Sequence, residues 1–212
     1  MADAHGVFRI GRKPDPWALL SWTWAHDDGT FGNRYDDPKA RYRVLYAATQ
    51  RFGCFVETLA RFRIDPLLAA EIVEIAGEDD FYPLGKVPPE WFDSRAMGEA
   101  LVKAECADVN LSPWIDRLRI KLLPYLAEFG ITDLDASVLH ASYPRKVTQT
   151  ISRIVYEEGL NGIKYRSKFG YDIENGAFFE PVSLEHKPAQ DLKLDDPDLS
   201  LALQLHHLVV GD

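Results

Sequence analysis

The sequence predicts an α+β domain with a mixed β-sheet core flanked by helices. Three observations predict it. Short β-branched runs are interspersed with amphipathic helical stripes, without the regular alternation of a parallel α/β fold. Hydrophobic residues are 46% and charged residues 27% of the 212, a globular balance at a length that suits one sizeable core. No internal repeat or low-complexity tract divides the chain.

The elements follow in order. "VFRIG" (7–11) reads as a first strand, and "DPWALLSWTWAHDDG" (15–29) as a covering loop or short helix. "RYRVLYAA" (41–48) alternates and is β-branched in its middle, which predicts a strand. Thr49 is placed to cap a helix over "QRFGCFVETLARF" (50–62), where Phe52, Phe55, Val56, Leu59 and Phe62 form one stripe. "PLLAAEIVEIA" (66–76) is a second helix, and the Gly/Pro-punctuated 77–91 reads as loop. Ser94 reads as the N-cap of a helix over "RAMGEALVKAE" (95–105). The stretch 111–130 predicts a helix with Ser112 at the cap, Pro113 in the first turn, a kink at Pro124 and a stop at Gly130. Val147, Ile151, Ile154 and Val155 define a further helix ending at Gly159. Strands are expected over 160–167 and 176–181, then a polar linker over 185–196. A terminal helix over 197–210 has Asp196 as cap.

The formal net charge of −9 disfavours direct nucleic-acid binding and adhesion to anionic membranes, since both need a basic face. Cys54 and Cys106 build no disulfide framework and suit a reducing cytoplasm. "MADAHGVFRIGRK" lacks the apolar stretch of a signal peptide, and no apolar run approaches a membrane span. The dinucleotide-binding glycine fingerprint, the Walker loop, the GxSxG elbow and the HExxH zinc motif are all missing from the sequence. His206 and His207 are neighbours facing different ways on a helix, a surface pair rather than a metal site. Cys54 reads as a buried packing thiol. Asp36 and Asp37, ahead of Pro38, read as turn aspartates bonding the local backbone. Asp79–Asp80 and Glu157–Glu158 read as solvated or helix-end charges.

Three residues stand out. Glu57 borders the apolar stripe of its helix, either half-exposed or held on purpose. Arg34 sits in the glycine-flanked turn "FGNRYDDP", as an ordinary loop arginine or as an anion clamp. Ser167 ends "GIKYRS", as turn chemistry or as a ligand contact.

Together, in that chain order, "FGNRYDDP", "CFVETLARFR" and "GIKYRSKFG" resemble the RES-domain family, named for its arginine, glutamate and serine. "YRVLYAA", "VPPEWFDSRAMGEAL" and "RKVTQTISRIVYEEGLNGIKYRS" fit the same pattern, over roughly residues 7 to 185, with 186–212 as a C-terminal linker and helix of one RES-type domain. One departure is Tyr35, where many relatives carry tryptophan. The resemblance implies a fold similar to ADP-ribosyltransferase toxins, with NAD as a substrate cleaved at the nicotinamide–ribose bond rather than as a cofactor. It implies hydrolysis, phosphorolysis with inorganic phosphate as co-substrate, or ADP-ribosyl transfer to a protein. It also implies a toxin with an antitoxin partner, and leaves a homo-oligomer or a catalytically silent binding module open.

This chemistry suits the residues. The N-glycosidic bond of NAD already has a cationic leaving group, so nicotinamide departs neutral without a dedicated acid. One carboxylate, Glu57, then suffices where an O-glycosidase uses two. The pyrophosphate asks for a guanidinium fork, with Arg34 as first candidate and Arg9 as second. The nicotinamide ring asks for a flat surface, for which Tyr46 and the Tyr35 aromatic are candidates. Ser167, or more weakly Asn175, would hydrogen-bond the carboxamide or a ribose hydroxyl.

Overall fold

The computed structural model describes residues 3–76, 84–141 and 143–211. Its main sheet is built from β1 (Asp3–Arg12), β2 (Val44–Ala48), β4 (Arg95–Ala104), β5 (Cys106–Asp108), β6 (Gly162–Ser167), β7 (Gly170–Phe179), β8 (Ser183–His186) and β9 (Gln190–Asp191). The order is β5-β6-β7-β2-β1-β4-β8, and β9 also pairs with β4. The β5–β6 pair is parallel and the other pairs are antiparallel. β3 (Gly85–Val87) and β10 (Leu208–Val210) form a separate parallel pair. The helices are α1 (Arg51–Leu59), α2 (Pro66–Ala76), α3 (Pro89–Asp93), α4 (Ser112–Glu128), α5 (Ala136–His140), α6 (Arg145–Glu157) and α7 (Pro197–His206). The architecture is thus α+β, a mixed sheet flanked by helices. Among the described residues no helix is long and apolar enough to cross a membrane.

Strand alternation sorts the core. Leu45, Ala47, Ala100, Val102 and Phe178 share a cluster with Trp17 on one face of the sheet. The other face carries two helical halves. α4 and α6 cover the β6–β7 side, with Leu118, Leu122, Ile151 and Val155 packed on Ile163 and Ala177. α1 and α7 cover the β1–β4 side, with Phe55, Val56, Leu59 and Leu199 packed near Ile10, Ala48 and Met97. Gly53 lets α1 lie against the strands, because a Cβ there would meet Ile173 Cγ2 at 2.8 Å and Ala48 Cβ at 3.2 Å.

Several elements differ from the sequence expectation. Residues 95–104 are not a helix but β4, paired along its whole length with β1 from Asp3↔Ala104 to Arg12↔Arg95. Its Ala, Met, Glu, Leu and Lys are helix formers, but tertiary pairing outweighs propensity. Ser94 therefore follows the short α3 rather than capping a long helix. Gly98 fits because Trp17 lies on it, where a Cβ would come within 2.6 Å of the indole nitrogen. Thr49 does not cap α1; its Oγ1 donates to Glu174 O across the sheet at 3.2 Å. Leu111, with no side-chain bond, occupies the N-cap position expected of Ser112. The expected loop over 77–91 contains β3 and the start of α3, while 77–83 and the Asp79–Asp80 charges lie outside the described residues. The linker over 185–196 contains β9, and the terminal helix stops at His206, followed by β10.

His207 is exposed, but His206 is buried and its Nε2 donates to Val56 O at 2.8 Å. Burial lowers the His206 pKa below its ordinary value, with a smaller opposing effect from the Val56 hydrogen bond. His140 is lowered too, first by burial and then by Arg34. The native state therefore binds fewer protons than the unfolded chain near and below pH ~6.5. Stability contributed by these neutral rings is full above that value and falls as the pH drops. Urea midpoints measured between about pH 7.5 and 5.5 are expected to decline, and His206→Gln, which keeps a donor for Val56 O, flattens the decline.

Candidate active site

The two helical halves meet over one row of the sheet. In register, Ala48 of β2 pairs with Asn175 of β7, which pairs with Tyr165 of β6. Partners in a ladder share a face, so these three point toward the helices. Glu57 lies one turn beyond Gly53 on α1 and reaches this row. Asn175, buried, donates from Nδ2 to Glu57 Oε1 at 2.8 Å. Glu57 is half-buried and has no salt-bridge partner among the described residues. It is a carboxylate oriented by a neutral amide, with its charge uncancelled.

The Arg34 turn is fixed from several sides. Asp36, buried, accepts from Phe31 N at 2.9 Å, Asn33 N at 2.8 Å and the Tyr46 hydroxyl at 3.2 Å. Asp37 accepts from Arg41 N at 2.8 Å and pairs with the Arg41 guanidinium at 2.9 Å. Both aspartates thus do the turn work expected of them. The Tyr46 hydroxyl accepts from Tyr35 N at 2.9 Å. From α6, Gln149 Nε2 donates to Asn33 O at 3.2 Å and Ser152 Oγ to Tyr35 O at 2.6 Å. The backbone on both sides of Arg34 is held, while its side chain is not paired with any carboxylate among the described residues. The guanidinium donates from Nη2 to His140 O at 3.3 Å and lies 5.5 Å from the centre of the Tyr165 ring. Asp36→Ala strands two backbone donors and a tyrosine hydroxyl in a buried place. It is expected to cost about 3 kcal/mol, read as a loss in the urea midpoint.

Around these groups stands a wall of aromatic rings. Tyr35 is fully buried, 4.9 Å from Tyr165 between ring centres, and its hydroxyl has no hydrogen-bond partner within bonding geometry among the described residues. Burial pushes the Tyr35 phenol up to about 12 and raises Tyr46 and Tyr165 well above their ordinary value. The Glu57 charge adds to the effect on Tyr165. Ser167 is buried where the β6–β7 ladder shifts register, and its Oγ accepts from Phe169 N at 3.0 Å. The His140 ring stacks on Tyr171 at 5.2 Å with 20° between planes.

Of the residues singled out from sequence, Glu57 bonds Asn175, Arg34 lies over Tyr165 beside the buried Tyr35, Tyr46 bonds Tyr35 N, and Ser167 ends the strand that carries Tyr165. Arg9 is placed apart, with Nε donating to Pro16 O at 2.7 Å and Nη1 to Tyr46 O at 2.6 Å. It ties the covering loop to β2, and burial lowers its pKa. Tyr165 and His140 are additions. Tyr165 pairs with Asn175 just before the register shift at Ser167, and the sequence spacing alone did not single it out. His140 joins through tertiary packing alone. Two shallow recesses, of about 350 and 280 Å³, lie elsewhere: one is lined by Trp17, Leu45 and Val182, the other by Phe8, Leu101 and His186.

A single amide-held carboxylate, a guanidinium with no carboxylate partner and several tyrosines can together hold an anionic, ring-bearing ligand and stabilise a cation developing on it. That defines a one-carboxylate cleft on a mixed α+β sheet. The chain belongs to the RES domain family, whose model matches residues 7–202. Its fold is similar to that of a chain in the crystal structure of the M. tuberculosis MbcT–MbcA toxin–antitoxin complex, with a TM-score of 0.54 and 13% identity, covering 97% of this chain and 91% of that one. No curated protein sequence matches the chain.

Proposed function

We infer that the protein is an NAD-consuming enzyme that cleaves the nicotinamide–ribose bond, and that it is the toxin of a toxin–antitoxin pair. The observation that carries the reading is that the Glu57–Asn175 pair and the Arg34 guanidinium, which has no carboxylate partner among the described residues, both lie beside Tyr165. Arg34 clamps the pyrophosphate through its fork. Glu57, aimed by Asn175, holds the ribose hydroxyls and stabilises the oxocarbenium-like charge. Tyr46 walls the nicotinamide ring, with the buried Tyr35 packed on Tyr165 as its support, and Ser167 serves the carboxamide or a ribose hydroxyl. The carbon–nitrogen bond breaks and its electron pair leaves with nicotinamide as a neutral base. Water or inorganic phosphate forms the new bond at the anomeric carbon and releases its proton.

Cys54 is no rival nucleophile. Its thiol is buried, and burial pushes its pKa up to about 12. An antitoxin protein is the expected partner in the cytoplasm. An acidic or C-terminal carboxylate segment fits the anion position at Arg34, so that inhibition is competitive with NAD and weakened by salt. The test is incubation of the pure protein with NAD, with and without phosphate. ADP-ribose, its 1-phosphate and an ADP-ribosylated protein separate hydrolysis, phosphorolysis and transfer, and absence of free nicotinamide sinks the enzymatic reading.

A further inference from the structure

The contacts in the cleft run along a line. Asn175 holds Glu57 and pairs with Tyr165 across the ladder. Arg34 lies over the Tyr165 ring and donates to His140 O, and the His140 ring stacks on Tyr171. Asn175 and Tyr171 are both on β7, four positions apart, on either side of the irregularity in the β6–β7 ladder. A dinucleotide has the same order: reacting ribose, pyrophosphate, then a flat base.

We propose that the His140–Tyr171 stack is the platform for the adenine base. The proposal rests on the NAD reading and assigns the other end of that substrate. Tyr171 is 66% exposed yet held nearly parallel to the half-buried His140 ring. An exposed tyrosine on a hairpin ordinarily loses rotamer freedom by such ordering. Here the ordering leaves the outer ring face bare beside the anion clamp, ready for a base to stack on it. The hairpin that carries Tyr171 is fixed at its turn by the Phe169 N to Ser167 Oγ bond, and the His140 backbone carbonyl accepts from the Arg34 guanidinium. The clamp and the platform are therefore built as one unit.

The test measures binding by calorimetry and needs no turnover. Tyr171→Ala is expected to weaken ADP-ribose by about ten-fold, the scale of one base–aromatic stack. Tyr171→Phe, which keeps the ring, binds ADP-ribose like the wild type. Ribose 5-phosphate, which lacks the base, binds wild type and Tyr171→Ala alike, and the melting temperature is unmoved. Equal ADP-ribose affinity in wild type and Tyr171→Ala, equal weakening of both ligands, or a wild type that binds no ADP-ribose overturns the platform. Nicotinamide release by the wild type is assayed alongside. Release without Tyr171-dependent binding removes the platform and leaves the enzyme. Tyr171-dependent binding without release removes NAD cleavage and leaves the platform.

Discussion

Glu57→Gln lowers kcat for nicotinamide release by about 10²- to 10³-fold, the loss seen when a preorganised electrostatic group is removed. The substitution is nearly isosteric. Its amide oxygen can still accept from Asn175 Nδ2, so the 2.8 Å contact and the packing of α1 persist. Only the negative charge opposite the developing cation is lost. Charge in the transition state exceeds that in the bound ground state, so the effect falls on kcat more than on KM. The melting temperature stays level or rises slightly, because an unpaired carboxylate beside an apolar stripe is unfavourable to the fold. In cells, wild-type protein expressed alone arrests growth and lowers NAD, while Glu57→Gln is tolerated. Near-normal turnover by the variant removes Glu57 from the mechanism.

In the proposed reading Arg34 holds a part of NAD that does not react, so its loss is expected to show mainly in KM. Arg34→Ala removes charge-assisted hydrogen bonds of about 1.5–3 kcal/mol, roughly 10- to 100-fold in NAD affinity. Arg34→Lys keeps the charge but not the fork, and also loses the guanidinium's contact with the Tyr165 ring, so it recovers only part of that affinity. The surrounding turn should survive both changes. Its backbone is held by Asp36, Tyr46, Gln149 and Ser152, none of which needs the Arg34 side chain. Unchanged NAD binding by Arg34→Ala in calorimetry places the anion site elsewhere.

How much of this was legible in the sequence depended on whether local pattern and tertiary context agreed. The β2–α1 step was readable, because a β-branched alternation runs into a helical stripe. So was the Asp36–Asp37 turn, whose aspartates bond their own neighbourhood. β4 was missed because helix-forming side chains mask a period of two. Gly98, Ala100, Val102 and Ala104 alternate with Glu99, Leu101 and Lys103, and in the structure the first set is buried. His206 was expected on the surface because nothing local reveals that α7 packs on α1 and offers it Val56 O. Arg9 has the charge for a phosphate contact, but only the fold shows its guanidinium bonded to two carbonyls. The pairing of Asn175 with Glu57 joins residues far apart in the chain, and no spacing rule links them.

The strand pairing also sets the order of events in time. β1 finds its partner in β4, and β2 finds its partner in β7, across long stretches of intervening chain. Closing such loops is entropically costly and makes sheet assembly slow. Arg34 and Glu57 are synthesised early, whereas Tyr165, Ser167 and Asn175 come more than a hundred residues later. A nascent chain that has not yet made β6 and β7 holds Arg34 without its ring and Glu57 without its amide. The groups assigned to the proposed reaction therefore come together only late in folding. In a refolding experiment, nicotinamide release should lag the collapse reported by tryptophan fluorescence and coincide with the slowest structural phase.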